Sequence, residues 1–374
     1  MARCCRWPAS TDNLPSARER EEIDWRRVVR IARRHQVEAL VWNRLRNSKC
    51  LPEESAPALR LAAETILHRN LQHARASLRL NAVFEKAGVS VLFLKGIPLG
   101  ILAYGSLGLK ASRDVDLLVA PEALDRAAGL LLKEGYRCTV PGAEGERLGE
   151  WHAVCKESVW RHSATGVLVE LHTQTVDNPS LLAGAGVDVR QWIALGDGQS
   201  LPTFPPEQLF AYLCVHGTSC AWFRLKWLAD VGALVSSLPP GEVERLYGRA
   251  RAIGAGRCSA VALLLCEAIL GMSLPAGLCR ELRRDWRARM VARLCVRKLT
   301  GRYEESEILS FRWGTISIHL LQPFLGDGWR SFFVESRRLM ARPEDRFKLS
   351  AEPSSPFVRV RLLIRKIGWA FAKL

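Results

Sequence analysis

Between residues 23 and 47 the apolar side chains Trp25, Val28, Val29, Ala32, Val37, Leu40 and Val41 recur near a 3.6-residue period, with arginines between them. That spacing predicts two short amphipathic helices, broken around His35. Residues 52–87 keep the helical period, with Pro52 suited to a first turn and Gly88 to a stop. At Val89 the period changes. Residues 89–94 are a short apolar run, Lys95-Gly96 follows, and 97–104 has room for a short helix. Residues 114–119 (Asp-Val-Asp-Leu-Leu-Val) read as a strand, 121–134 as a helix closed by Gly135, and 136–140 as another strand. A glycine-rich loop is expected over 142–149, then strands over 151–160 and 167–172 joined through Ser163-Ala-Thr-Gly166. Interleaved helices and strands make this block α/β or α+β. Beyond Pro205 the pattern is helical: 206–216, 223–234, 241–252, 257–269 and a very basic 280–299, then a loop over 345–356 and a last helix over 358–374. Three regions result: helical 1–88, mixed 89–204 and helical 205–374.

Composition narrows the class. The 374 residues are 48% hydrophobic and 25% charged, so a collagen, a disordered chain and a small disulfide scaffold are excluded. The net charge of +16 asks for an anionic partner. Its distribution is uneven: twelve Lys and Arg against six Asp and Glu over 1–50, seventeen against nineteen over 51–240, and twenty-five against thirteen over 241–374. The mixed region is near neutral, unlike the basic groove of a nucleic-acid enzyme. Eleven cysteines without a C-x-x-C pair support neither a zinc site nor a disulfide framework. The first ten residues have two arginines but no apolar stretch behind them, and the most apolar run, 260–279, is interrupted by Glu267, Gly271, Pro275 and Gly277. The expectation is a cytoplasmic protein with reduced thiols and no membrane span.

Asp114 and Asp116 are the chemically unusual residues. Two apart on a strand, they leave the same face about 6.6 Å apart, while Val115, Leu117 and Val119 point into the core. Paired carboxylates repel unless a cation lies between them. Glu170 lies in a second strand whose alternate residues Val167, Val169 and Leu171 are apolar, so Glu170 and His172 share a face. Three acids on neighbouring strands suit hard divalent ions, and two such ions clamp the attacking and leaving oxygens of a phosphoryl displacement. Upstream, strand, Lys95-Gly96 and helix in succession place backbone N–H groups and a positive helix end where phosphates bind.

With these residues in order the chain resembles a little-characterised bacterial nucleotidyltransferase family of the polymerase-beta-like superfamily. The resemblance rests on Leu94-Lys-Gly96, Tyr104, Arg113-Asp-Val-Asp-Leu-Leu-Val119, Gly135-Tyr136, Val169-Glu-Leu-His172, His216 and the stretch from Trp222 to Asp230, and reaches back to Trp25 and Arg44. It covers roughly 20–240. It implies an α+β fold: a small mixed-sheet palm with flanking helices, here between N-terminal helices and a large C-terminal helical region. It further implies a nucleoside triphosphate, ATP among the candidates, and two Mg²⁺ ions, with Asp114 and Asp116 as the metal pair and Glu170 as the third acid. Lys95, the Gly96 amide and Arg113 would hold the triphosphate. Ile97 replaces the serine that follows the superfamily's glycine, and Cys220 stands where relatives often have a second histidine.

The implied reaction moves a nucleoside monophosphate to an acceptor and releases pyrophosphate. Nothing in the sequence names the acceptor, which remains open among a protein, a peptide, a sugar phosphate, another small molecule and an RNA end. The competing reading is a non-catalytic module, a degenerate palm whose basic ends bind nucleic acid or an anionic membrane surface. Plainer roles are expected elsewhere. His172 and His216 read as structural hydrogen-bonding residues, and Asp230 as packed against Lys226 one turn earlier. Arg283, Arg284, Arg287 and Arg289 read as a solvated helix face, and the last helix as docked on its own domain, with peripheral membrane contact as its alternative.

Overall fold

The computed structural model describes residues 1–8, 22–142, 147–300, 321–326, 328–340 and 347. The predicted loop over 345–356 and helix over 358–374 lie, apart from residue 347, outside the described residues. Helices α1 (Trp25–His35) and α2 (Glu38–Leu45) open the fold. Asp24 caps α1 by accepting from the Arg27 N–H at 2.9 Å, and the helix ends where Gln36 turns left-handed at φ 55°, which is the predicted break. Helix α3 (Ala56–Lys86) begins four residues later than the pattern suggested. The Pro52 carbonyl is taken by a turn to Ser55 and Ala56, and Pro57 occupies the first helical turn instead.

Strand β1 (Val91–Phe93), helix α4 (Ile97–Tyr104), strand β2 (Val115–Val119), helix α5 (Leu124–Lys133) and strand β3 (Tyr136–Val140) follow the expected order. The next segment corrects the sequence reading. Residues 148–152 form a short helix, α6 (Leu148–His152), and β4 (Glu157–His162) starts six residues later than the strand expected from Trp151. Tertiary anchoring overrides the local pattern: the Trp151 indole donates to the Glu157 carbonyl at 2.7 Å, and the His152 ring lies between Thr173 (2.8 Å) and Ser158 (3.0 Å). Strand β5 (Leu168–His172) completes a mixed sheet in the order β1-β2-β5-β4-β3, with β2 parallel to β5 and the other pairs antiparallel. A hairpin that the sequence reading missed, β6 (Gln191–Gly196) and β7 (Gln199–Thr203), packs beside β1, and Thr203 Oγ1 donates to the Phe93 carbonyl at 2.6 Å.

The remaining described helices are α7 (Pro206–Ser219), α8 (Leu225–Ser236), α9 (Glu242–Ala252), α10 (Gly256–Leu265), α11 (Ala276–Leu282), α12 (Trp286–Leu299) and α13 (Gly328–Met340). The basic 280–299 stretch is thus divided between α11 and α12, because Asp285 caps the second helix through the Arg287 and Ala288 N–H groups. The sheet divides two buried clusters. Val115, Leu117, Val169 and Leu171 point to one side, against Leu80 and Phe84 of α3 and Leu131 of α5. Leu92, Leu94 and Leu118 join the other cluster, which is continuous with α7, α8, α10 and the N-terminal Trp25, Leu40 and Val41. The period-two alternation of β2 and β5 therefore turns Asp116, Glu170 and His172 away from the first cluster. No described helix is long and apolar enough to cross a membrane.

Candidate functional site

The parallel register of β2 and β5 sets Asp116 directly beside Glu170, with Val115 beside Val169 and Leu117 beside Leu171. Side chains in such a lateral pair stand about 4.8 Å apart at the backbone, so the acids converge because the apolar residues on either side fix the register. His172 lies two residues along β5 on the same face. One ligand atom from each of Asp116, Glu170 and His172 falls within 4.8 Å of the others. The His172 Nε2 is 3.5 Å from Asp116 Oδ1 and 3.7 Å from Glu170 Oε2, and its Nδ1 is 3.4 Å from Glu157 Oε2. Neither ring nitrogen nor Asp116 Oδ2 has a hydrogen-bond partner among the described residues, although both side chains are buried. Buried polar atoms left open in this way favour a ligand between them. Among the three, Asp116 and Glu170 were expected and His172 was not. Asp114 stands just before β2, half-buried, outside the converging set. Burial and then the charge of Asp116 push its carboxyl up to about 6.

Lys95 Nζ lies 2.9 Å from Asp116 Oδ1. Burial would raise the Asp116 carboxyl, but Lys95 and then His172 hold it well below the usual carboxylate range. Burial would lower the Lys95 ammonium, and the charge of Asp116 instead holds it well above its usual value. Lys95 was expected on a triphosphate; here it is the counter-ion of the buried Asp116.

Gly96 begins α4 at φ 67°, a backbone that an L side chain strains to adopt. A Cβ built on Gly96 would lie 3.8 Å from Ser112 Oγ and 3.9 Å from the Asp114 carbonyl, so the turn before α4 faces the segment leading into β2. That segment is held by Asn70 of α3, whose side-chain amide donates to the Leu107 and Lys110 carbonyls at 2.5 and 2.7 Å. Ser112 is buried, and its hydroxyl makes no hydrogen bond to a described residue. It is a residue that sequence reasoning missed: Ile97, next to Gly96 in the chain, has no hydroxyl, while the fold supplies one from sixteen residues away. Arg113 is exposed beside it.

Two cavities meet at this site. The first, of about 280 Å³, is lined by Gly96, Ser112, Arg113, Asp114 and Asp116 on the sheet side, and by Phe223, Arg224, Lys226 and Trp227 on the helical side. The second, of about 350 Å³, contains Glu170, His172, Lys156, Asp177 and Tyr212 among its walls. Lys95, His216 and Cys220 line both. His216 stacks on Tyr212 at 6.2 Å and meets Trp227 edge-on at 5.3 Å. Burial and then the Lys95 charge keep its imidazole neutral, well below the ordinary value.

The helical wall depends on the turn between α7 and α8. Ala221 and Trp222 both adopt left-handed backbone, at φ 49° and 50°, which folds the Trp222 ring onto Gly217, where a Cβ would come within 2.4 Å of it. The Trp222 indole donates to Thr218 Oγ1 at 3.1 Å. In α8 the expected Asp230–Lys226 contact is replaced. Asp230 accepts from the Tyr104 hydroxyl at 2.9 Å and from Lys110 at 2.9 Å, in a buried network, while Lys226 donates to the Ala111 carbonyl at 3.2 Å. Lys110 reaches across from the loop before β2 and outcompetes the helical neighbour. Burial and then the Lys110 charge lower Lys226 to about 7. In the basic region, Arg283 bridges both carboxylate oxygens of Glu267 at 2.7 and 2.8 Å, Arg284 and Arg289 are exposed, and Arg287 is half-buried.

Comparison with known proteins agrees with this geometry. No curated protein matches the chain. A family described as an uncharacterised nucleotidyltransferase matches residues 21–271, about two thirds of the sequence, from α1 through the sheet to α10. Both cavities are built mainly from that span. The chain belongs to this uncharacterised nucleotidyltransferase family.

Proposed function

We propose that the protein is a metal-dependent nucleotidyltransferase that moves a nucleoside monophosphate from a nucleoside triphosphate to an acceptor and releases pyrophosphate. The observation that carries this reading is the convergence of Asp116, Glu170 and His172 within 4.8 Å beside the Gly96 turn. Two carboxylates and one imidazole with open polar atoms fit a divalent cation such as Mg²⁺ or Mn²⁺. Asp114, on the wall of the first cavity, would contribute a carboxylate to a second ion. Bound there, such ions would neutralise phosphate charge and activate an acceptor oxygen. The chain's own residues supply the rest. The Gly96 backbone, the Ser112 hydroxyl, Arg113 and the cationic helical wall line the space for the triphosphate, and Lys95, which lines the same cavity, would add a positive charge to it. Catalysis is then positioning and charge neutralisation.

The three-region division, with a palm over 89–204, belongs to the same reading. The degenerate-palm alternative, with basic ends that bind nucleic acid or an anionic membrane surface, draws part of its support from Ile97; Ser112 beside Gly96 weakens that part. The test is isothermal titration of ATP, GTP, CTP and UTP with Mg²⁺ into the wild type and an Asp114→Ala/Asp116→Ala double variant. Binding of at least one nucleotide, lost in the variant, is expected; equal binding by both proteins overturns the proposal.

A further inference from the structure

A third cavity lies away from the sheet, among the helices of the basic C-terminal region. Its volume is about 720 Å³, within the range of about 300 to 1,000 Å³ usual for small-molecule sites, and it shares no wall residue with the two cavities beside the sheet. Residues 241–374 hold twenty-five Lys and Arg against thirteen Asp and Glu, and none of that excess lines the first cavity. Arg251, Arg257, Arg280 and Arg284 line this third one, against Glu281 and Asp285.

Both acids are already engaged. Asp285 accepts from Arg257 Nε at 2.8 Å and caps α12 through the Arg287 and Ala288 N–H groups, and Glu281 is paired with Arg251. Arg257 is fixed as well, because its Nη1 donates to the Phe324 carbonyl at 2.9 Å and to the Gly326 carbonyl. Arg280 and Arg284 are different: both are exposed, and neither side chain has a hydrogen bond or ion pair with a described residue. They stand four residues apart across the C-terminal end of α11, a spacing at which like charges repel. An oxyanion between them relieves that repulsion and matches the planar fork of each guanidinium. Gly256, the first residue of α10, belongs to the same wall, and its N–H has no acceptor among the described residues. A Cβ there would come within 2.6 Å of Arg251 Cγ, so this point of the wall stays bare backbone.

We propose that this cavity binds a small molecule through a phosphate group, with Arg280 and Arg284 holding the phosphate oxygens while Arg251 and Arg257 keep the surrounding wall positive. Single-stranded nucleic acid fits the wall less well. Such chains stack their bases on aromatic rings, and Tyr247, the one aromatic among the described wall residues, is buried with the Arg251 guanidinium over its ring at 5.9 Å. The phosphate is therefore the recognised group, whether it is free or esterified.

Inorganic phosphate, pyrophosphate and glucose 6-phosphate, titrated calorimetrically without divalent cations into the full chain and an Arg280→Gln/Arg284→Gln variant, test the proposal. At least one is expected to bind the wild type and to bind the variant about tenfold or more weakly. Tighter binding of the ester than of the two inorganic ions supports an organic phosphate as the ligand, and the reverse order a free one. Both side chains are exposed and bond no described residue, so the variant is expected to keep the wild-type melting temperature and the wild-type titration with Mg²⁺ and nucleotide. No binding of any probe, or equal binding by the two proteins, overturns the proposal. So does a variant that loses nucleotide along with phosphate, because the third cavity would then be part of the nucleotide site. Tighter binding of a short single-stranded RNA, lost on the same substitutions, overturns the small-molecule assignment.

Discussion

Replacing Lys95 by methionine separates a structural lysine from a metal-exchanged one. The Asp116 side chain is 0% exposed and Lys95 Nζ is 2.9 Å from its Oδ1. At an effective dielectric constant near 20, that pair attracts by about 6 kcal/mol, much of it offset by the cost of taking both charges out of water. Removing one partner of a buried pair typically costs about 3–5 kcal/mol, because the remaining charge is left uncompensated. Lys95→Met is therefore expected to destabilise the metal-free protein by about that amount, with His172 and protonation of Asp116 placing it toward the lower end. A divalent cation competes with the lysine for the same oxygen. The variant should consequently gain more from Mg²⁺ than the wild type does, up to about 2.7 kcal/mol more when the ion is at a hundred times its Kd. Urea unfolding followed by tryptophan fluorescence, with and without MgCl₂, measures both quantities. A loss below about 1 kcal/mol, or an equal Mg²⁺ increment in the two proteins, would refute the reasoning. Neutralising both partners, Lys95→Met with Asp116→Asn, should recover most of the stability while abolishing the Mg²⁺ response.

Three further outcomes follow from the geometry. Ser112→Ala should weaken nucleoside triphosphate binding about tenfold by titration calorimetry, as expected for one charge-assisted hydrogen bond, with an unchanged melting temperature because the hydroxyl bonds no described residue. Asp230→Ala should cost about 3–5 kcal/mol in urea unfolding, because it strands Lys110 and the Tyr104 hydroxyl in a buried site, and Lys110→Met/Asp230→Leu should restore most of it. Burial, then Arg34 and Arg224, lower His35 from 6.5 to about 4 while its Nδ1 accepts the Leu225 N–H at 3.1 Å. The unfolded chain takes the proton first, so the stability that His35 contributes is full above about pH 6.5 and lost as pH falls toward 4. That window is worth up to about 3 kcal/mol, and His35→Gln should flatten the measured pH dependence by that share.

Much of the sheet was legible because its signals are local. The alternation in 114–119 and 167–172 fixed which residues point to the core, and that alone put Asp116 and Glu170 on a common face. Gly88, Gly96 and Gly135 marked ends that the fold keeps, each at positive φ. The failures share a cause in long-range contact. The 148–152 helix is decided by partners of Trp151 and His152 in other strands, the β6–β7 hairpin by its packing beside β1, and the place of Asp230 by a lysine 120 positions away. A Gly196-Asp-Gly198 turn in the sequence was the available sign of the hairpin. His172 was visible as a neighbour of Glu170, yet that its nitrogens would lack partners is a property of packing. The two cavities at the site were invisible for the same reason, since each draws its residues from segments far apart in the chain.

The hairpin also bears on how this chain behaves among its own copies. An open sheet ends in rows of free backbone groups that invite strand addition and aggregation. On one side the terminal strand has only three residues, and Thr203 occupies the carbonyl of its last one, Phe93. On the opposite side β3 carries Arg137 and a register shift between Cys138 and Val140, both of which spoil a flat template. Both margins are thus blunted, and self-association through edge pairing is disfavoured at the very sheet that carries the chemistry.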